Sequence, residues 1–210
     1  MNNAPSRCRA LVLLGPTGSG KTPLGNLIEE RGLWDCRWVH FDFGDRLRAM
    51  VADGSAGGRF SSEDVATAAR VIDAGALLEN DQWPLAERIL RGFLADRVSD
   101  PQTCVVLNGL PRHVDQARAV ETILDVGTIL CLRCTTDALL ERIRSNVGGD
   151  RGGRLDDDPE KVRARVALFH ERTDAIMDYY RELDVRIRRI VVTATMTPDE
   201  IWRILENRGC

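Results

Sequence analysis

A chain of 210 residues with 43% hydrophobic content is long enough for one sizeable core with small inserted lobes, which excludes a disordered tail. Its charged fraction of 29% leaves a net charge of only −3, so the basic surplus from which a dedicated nucleic-acid binder draws its affinity is missing. No apolar run approaches the length needed to cross a bilayer, and neither nucleic acid nor membrane is expected as a partner.

Short apolar runs alternate with longer helical patterns along the chain. The first run, Ala10–Leu14, is too short for the apolar region of a signal peptide and reads as a buried strand. Further strands are expected at Trp38–Phe41, Cys104–Leu107, Thr128–Leu132 and Ile187–Val192. Each is rich in Val, Leu or Ile, as in strands covered on both faces. Between the second and third, residues 45–100 read as helices without a strand: Arg46–Ala52, Glu63–Ala74 and Gln82–Arg97. Near the end, Pro159–Leu183 carries Val162, Val166, Phe169, Ile176 and Tyr180 at helical spacing, with Asp156–Asp158 placed to cap it. Residues 147–155 hold four glycines in nine positions and read as a mobile loop. The alternation predicts an α/β fold, a three-layer parallel five-stranded sheet. Its core comprises residues 1–44, 101–145 and 159–210, with a helical insertion at 45–100 and a short loop over the site at 146–158.

The six cysteines, Cys8, Cys36, Cys104, Cys131, Cys134 and Cys210, read as reduced thiols of a cytoplasmic protein. Cys131 and Cys134 form a CxxC, but the pair belongs to the apolar run that includes Thr128–Leu132, with no second pair and no histidine nearby. Buried small apolar residues are the better reading.

The chemistry is concentrated in Gly15-Pro16-Thr17-Gly18-Ser19-Gly20-Lys21-Thr22, a full match to G-x-x-x-x-G-K-[ST]. It follows a predicted strand and opens a predicted helix, with Pro23 suited to the first turn. The glycines let backbone N–H groups turn toward phosphate oxygens, and the helix N-terminus adds a favourable dipole. Lys21 is expected at the β- and γ-phosphates of a nucleoside triphosphate, and the Thr22 hydroxyl on Mg²⁺.

Four segments together resemble the adenylate kinase family of nucleoside monophosphate kinases, P-loop NTPases with a short lid. They are the P-loop itself; Phe43-Gly44-Asp45-Arg46-Leu47-Arg48; Leu107-Asn108-Gly109-Leu110-Pro111-Arg112 followed by Gln116; and Gly153-Arg154-Leu155-Asp156-Asp157 followed by Arg163, Arg165 and Tyr179-Tyr180. The resemblance implies an adenylate-kinase-like fold in which 45–100 binds the acceptor nucleoside monophosphate and 146–158 is the lid. It implies transfer of the γ-phosphate of ATP to a nucleoside monophosphate, AMP first, by a monomeric enzyme. Lys21, Arg112, Arg142, Arg154 and Arg165 would be catalytic, Arg142 also sitting over the ATP held by Gly15–Thr22. Phe43, Arg48, Ala76, Leu77, Leu78, Gly109, Arg112, Gln116, Arg154 and Arg165 would bind the acceptor. Mg²⁺ would sit on Thr22, with Asp45 and Asn108 acting through water. The lid residues 146–158 contain neither Cys nor His, so no zinc is expected.

Guanidinium groups suit such a site because they stay charged and offer planar forked donors to phosphoryl oxygens. Arg163 and Arg165 are two apart and cannot share a helix face; Arg165, three residues after Val162, is expected inward and Arg163 outward. His40, His113 and His170 are read as structural, since an anionic acceptor phosphate needs no general base. Three departures stand out. Asn108 occupies the position of the family's usual Asp, which predicts weaker support for Mg²⁺ unless Asp45 compensates. Phe43 replaces a small hydroxyl residue near the acceptor, and Asn146 replaces a common lid arginine. The alternatives are a P-loop kinase for another nucleoside monophosphate or a small metabolite, and a weakly catalytic nucleotide-binding module.

Overall fold

The computed structural model describes residues 7–54, 58–74, 82–150 and 159–207, without the side chains of residues 74, 159, 161 and 165. Five strands, β1 (Cys8–Leu14), β2 (Trp38–Asp42), β3 (Cys104–Asn108), β4 (Leu124–Arg133) and β5 (Arg186–Val191), form one sheet in the order β2-β3-β1-β4-β5. Every pairing is parallel. The five apolar runs are therefore the five strands, within a residue or two at most ends. The exception is β4, which starts at Leu124 rather than Thr128. Its register against β1 slips between Ala10 and Leu11, leaving Gly127 as the extra residue of a bulge, and this break hid the first four positions.

Alternation along β1 builds the layers. Leu11 and Leu13 face α1 (Lys21–Arg31) and α8 (Pro198–Glu206), meeting Leu24, Ile28, Ile201 and Leu205 in one apolar cluster. Ala10, Val12 and Leu14 belong to a second cluster with Val120 of α5 (Val114–Glu121) and Ile176 and Tyr180 of α7 (Pro159–Glu182). The three-layer α/β architecture expected from the sequence is thus present. In α7, Val162, Val166, Ile176 and Tyr180 are buried and Phe169 partly so. Cys131 and Cys134 are buried as well, among apolar neighbours.

Between β2 and β3 lie α2 (Phe43–Ala52), α3 (Ser62–Ala74) and α4 (Trp83–Arg97). Helix α2 starts at Phe43, three residues before the expected Arg46, because Asp42 caps it: its Oδ1 accepts from the Asp45 N–H at 3.1 Å. No loop separates β2 from α2. Helix α4 packs on the sheet, with the Phe93 and Phe41 rings 5.2 Å apart edge to face. The buried apolar residues of α2 to α4 share one cluster with the sheet, so among the described residues the segment 45–100 has no separate core.

Helix α6 (Thr136–Ser145) follows β4, capped at its start by Thr135. It ends on Asn146 at φ 48°, a left-handed C-cap that asparagine tolerates better than arginine. Of the lid expected at 146–158, only the part to Asp150 falls among the described residues. Residues 156–158, expected as the cap of α7, lie outside them. No described helix is long and apolar enough to cross a membrane.

Candidate active site

The carboxyl ends of β1, β2 and β3 bring three segments together, where parallel α/β sheets place their ligands. From β1 the chain enters the P-loop. Gly18 and Gly20 hold φ of 82° and 94°, a region closed to most L-residues, so the loop's sharp turns depend on them. Gly20 is the N-cap of α1 and offers no side chain to the helix's first amides. Those N–H groups keep their capacity to bind an anion. Lys21 Nζ lies over the loop, donating to the carbonyls of Gly15 at 2.7 Å and Pro16 at 2.9 Å. This holds an ammonium at the mouth of the cradle.

Arg142 braces the loop from α6. Only 2% exposed, it donates from Nε to the Gly18 carbonyl at 3.2 Å. From Nη1 it donates to the carbonyls of Thr193 at 2.8 Å and Met196 at 2.6 Å. Burial lowers its pKa from the ordinary value, against the pull of Cys134 and Asp150. Three carbonyl dipoles thus surround the buried cation and tie the P-loop to the segment after β5.

The floor of the site is a hydrogen-bonded trio. The Thr22 hydroxyl donates to Asp42 Oδ2 at 2.5 Å. Asn108 Nδ2 donates to the same Oδ2 at 2.7 Å and to Thr22 Oγ1 at 3.2 Å. Asp42 and Asn108 are register partners at the ends of β2 and β3, which is why their side chains meet. Burial alone would push the Asp42 carboxyl up; Thr22, the Asp45 amide, His40 and Arg48 outweigh it and hold it below the usual carboxylate value. Asp42 was not among the residues expected in the site. The available signal was a carboxylate closing a buried strand just before the Phe43–Arg48 segment. Asp45, expected near the metal, is about half exposed and paired with Arg48.

After β3, Gly109 and Arg112 fold back on each other, Arg112 Nε donating to the Gly109 carbonyl at 2.7 Å. Gln116 is buried and its Oε1 accepts from the Arg112 N–H at 2.8 Å. The structure thus joins Gly109, Arg112 and Gln116 in one turn, next to Asn108 of the trio. Phe43, expected beside the acceptor, is 3% exposed and stacks on Phe41 with ring centroids 6.2 Å apart. Its position at the first turn of α2 packs the ring into the apolar cluster of the sheet. Arg163 is exposed, as expected. Ala76, Leu77, Leu78, Arg154 and the Arg165 side chain lie outside the described residues.

Of the histidines, His113 meets Arg172 of α7 at 2.8 Å, and His170 is exposed. His40 is buried, with Nδ1 2.8 Å from Asn26 Oδ1 and Nε2 without a partner. A cavity of about 280 Å³ bordered by His40, Asp42, Asp45 and Arg46 lies beyond the trio. The P-loop glycines do not line it, and Asp42 is the member of the trio that borders it.

Thr22, Asp42 and Asn108 offer hydroxyl, carboxylate and amide oxygens, the hard donors that Mg²⁺ takes. Among the described residues no group of three or more His, Cys, Asp or Glu forms a metal cage. Three oxygen donors of this kind fit a cation such as Mg²⁺ that keeps part of its water shell.

A phosphate cradle at the carboxyl edge of a parallel sheet, with a lysine at its mouth and a hydroxyl–carboxylate pair at its floor, defines a P-loop nucleoside-triphosphate-binding protein. The sequence profile of the family described as Adenylate kinase matches residues 13–185. An adenylate kinase of Stenotrophomonas maltophilia (strain K279a) is 34% identical over 177 residues, covering 81% of this chain and 84% of the relative. One from Deinococcus radiodurans is 31% identical over 214 residues, covering 96% and 98%. The fold is also that of a gluconokinase from Sinorhizobium meliloti 1021, with a TM-score of 0.53 at 17% identity over 96% of this chain and 91% of that one. The chain belongs to the adenylate kinase family.

Proposed function

We propose that the chain is a nucleoside monophosphate kinase that transfers the γ-phosphate of ATP to AMP, giving two ADP. The observation that carries this reading is the contact between donor and acceptor machinery. Thr22 of the P-loop and Asn108, which leads into the Gly109–Arg112 turn, hydrogen-bond to one another and to Asp42.

In this reading the amides of Gly15–Thr22 and the Lys21 ammonium hold the β- and γ-phosphates, while Arg142 keeps the loop in place. Arg112, Arg154 and Arg165 gather around the transferring phosphoryl group, whose charge spreads over three equatorial oxygens. Arg48 and Gln116, with the Ala76–Leu78 segment, hold the acceptor. Mg²⁺ bound with ATP neutralises charge on the phosphate oxygens, and the Thr22 hydroxyl is among the groups that hold it. No side chain has to move a proton, because the acceptor phosphate is already anionic. The enzyme acts as a cytoplasmic monomer.

The test is a transfer assay with radiolabelled ATP over AMP, CMP, UMP, GMP and small hydroxyl acceptors. Labelled ADP from AMP is expected. Transfer confined to another nucleotide would replace the acceptor; transfer confined to a hydroxyl compound would overturn the reading.

A further inference from the structure

We propose that Asp42, rather than Asn108 or Asp45, supplies the carboxylate that holds the nucleotide-bound divalent cation, with Asn108 as the amide that orients it. The inference rests on the triphosphate-binding reading of the P-loop and adds a metal-site residue to it.

The Asp at the end of β3 that the family resemblance led one to expect is Asn108 here. A neutral amide brings an oxygen but no charge. The missing charge stands one strand over: Asp42 closes β2 as Asn108 closes β3, and the two are register partners. Geometry then separates the candidates. Asp42 Oδ2 lies 2.5 Å from the Thr22 hydroxyl, the oxygen that the P-loop motif presents to the metal. Asp45 directs a carboxylate oxygen to Arg48 and is about half exposed.

The amide at 108 is complementary to that arrangement. A carboxylate at 108 would put like charges within hydrogen-bond distance of each other in a buried place. The amide instead donates, and Asn108 Nδ2 reaches Asp42 Oδ2 at 2.7 Å. Asp42 is further fixed through its other oxygen, which accepts from the Asp45 amide at 3.1 Å. A carboxylate held at both oxygens is pre-oriented, as supporting hydrogen bonds orient metal-binding carboxylates in general. Charge and orientation are thus divided between two strands.

Mn²⁺ serves as the spectroscopic probe. Free Mn²⁺ is followed by electron paramagnetic resonance during titration of the ADP complex, and a fluorescent ADP analogue in EDTA reports metal-free nucleotide binding. Asp42→Asn keeps an oxygen to cap α2, and it is expected to weaken Mn²⁺ binding about tenfold or more. Metal-free nucleotide affinity should stay within threefold. Asp45→Asn is expected to leave Mn²⁺ affinity within twofold. The exchanged pair Asp42→Asn/Asn108→Asp returns one charge to the trio and should recover most of the affinity; it also serves as the second test if Asp42→Asn does not fold. Unchanged Mn²⁺ affinity in Asp42→Asn, a loss confined to Asp45→Asn, or an exchanged pair that folds but binds no Mn²⁺ overturns the proposal. Failure of the unaltered protein to bind the nucleotide in EDTA would instead count against the triphosphate reading beneath it.

Discussion

The guanidinium of Arg142 donates to the carbonyl of Gly18 while its other end grips the carbonyls of Thr193 and Met196. One buried side chain therefore sets where the P-loop lies relative to the segment after β5. Lysine keeps the charge but not the planar fork, and it cannot reach all three carbonyls together. Arg142→Lys is expected to lower stability by about 2–3 kcal/mol, since hydrogen bonds to a charged group contribute about 1.5–3 kcal/mol each and only part of the set is lost. Urea unfolding measures this. The KM for ATP should rise about tenfold and that for the acceptor less than twofold; equal rises would mean that the brace acts on the whole site.

Gln116 gives the opposite signature. Its Oε1 takes the Arg112 N–H in a buried turn. Gln116→Leu removes that acceptor and is expected to cost about 1–3 kcal/mol. Because Arg112 loses its fixed position, the acceptor KM should rise about tenfold with the ATP KM nearly constant. Steady-state kinetics over both substrates decides this, and a change confined to the ATP KM would sink the assignment.

Gly25 predicts a reversal of ordinary helix propensity. Replacing glycine by alanine inside a helix usually stabilises by about 1 kcal/mol. A Cβ at Gly25 would lie 2.3 Å from His40 Nε2 and 2.5 Å from Cδ2, and the ring is held by Asn26. Overpacking of this kind costs about 1–3 kcal/mol. Gly25→Ala should therefore destabilise, and Gly25→Ala/His40→Ser should regain the loss. Thermal or urea melts of the two variants beside the unaltered protein are sufficient to test it.

His40 also sets a pH dependence. Burial lowers its pKa below 6.5, outweighing Asp42 of β2, Glu29 of α1 and Asp45 of α2, which raise it; Arg46 adds to the lowering, and Arg97 of α4 borders the same cavity. Below 6.5 the unfolded chain binds a proton that the folded chain refuses. This contribution to stability is complete above that pH and is lost as pH falls toward the folded value. Urea unfolding between pH 5 and 8 should show a decline on the acid side that is smaller in His40→Gln. An identical decline in both proteins would assign it to another group.

Much of the fold was legible because buried parallel strands are continuous Val- and Leu-rich runs, and β1, β2, β3 and β5 needed no tertiary information. Gly127 broke that pattern in β4 and concealed its start. The P-loop was legible because phosphate binding fixes Gly15, Gly20, Lys21 and Thr22 at set spacing within a few consecutive residues. Asp42 was not, because its role depends on the register that sets it beside Asn108, and a single sequence does not display register across a 66-residue separation. The burial of Phe43 was hidden for a related reason: with Asp42 as cap, α2 starts at residue 43, three residues before the expected Arg46, and its first turn packs the ring against Phe41.

The last strand carries a separate consequence. Among the described residues β5 is an end strand of the sheet, and an end strand presents amides and carbonyls to which a further strand could add. Arg186, Arg188 and Arg189 occupy three of its six positions. A second copy docking there edge to edge would bring the exposed Arg186 and Arg189 near their own counterparts, so strand addition at this edge meets electrostatic repulsion.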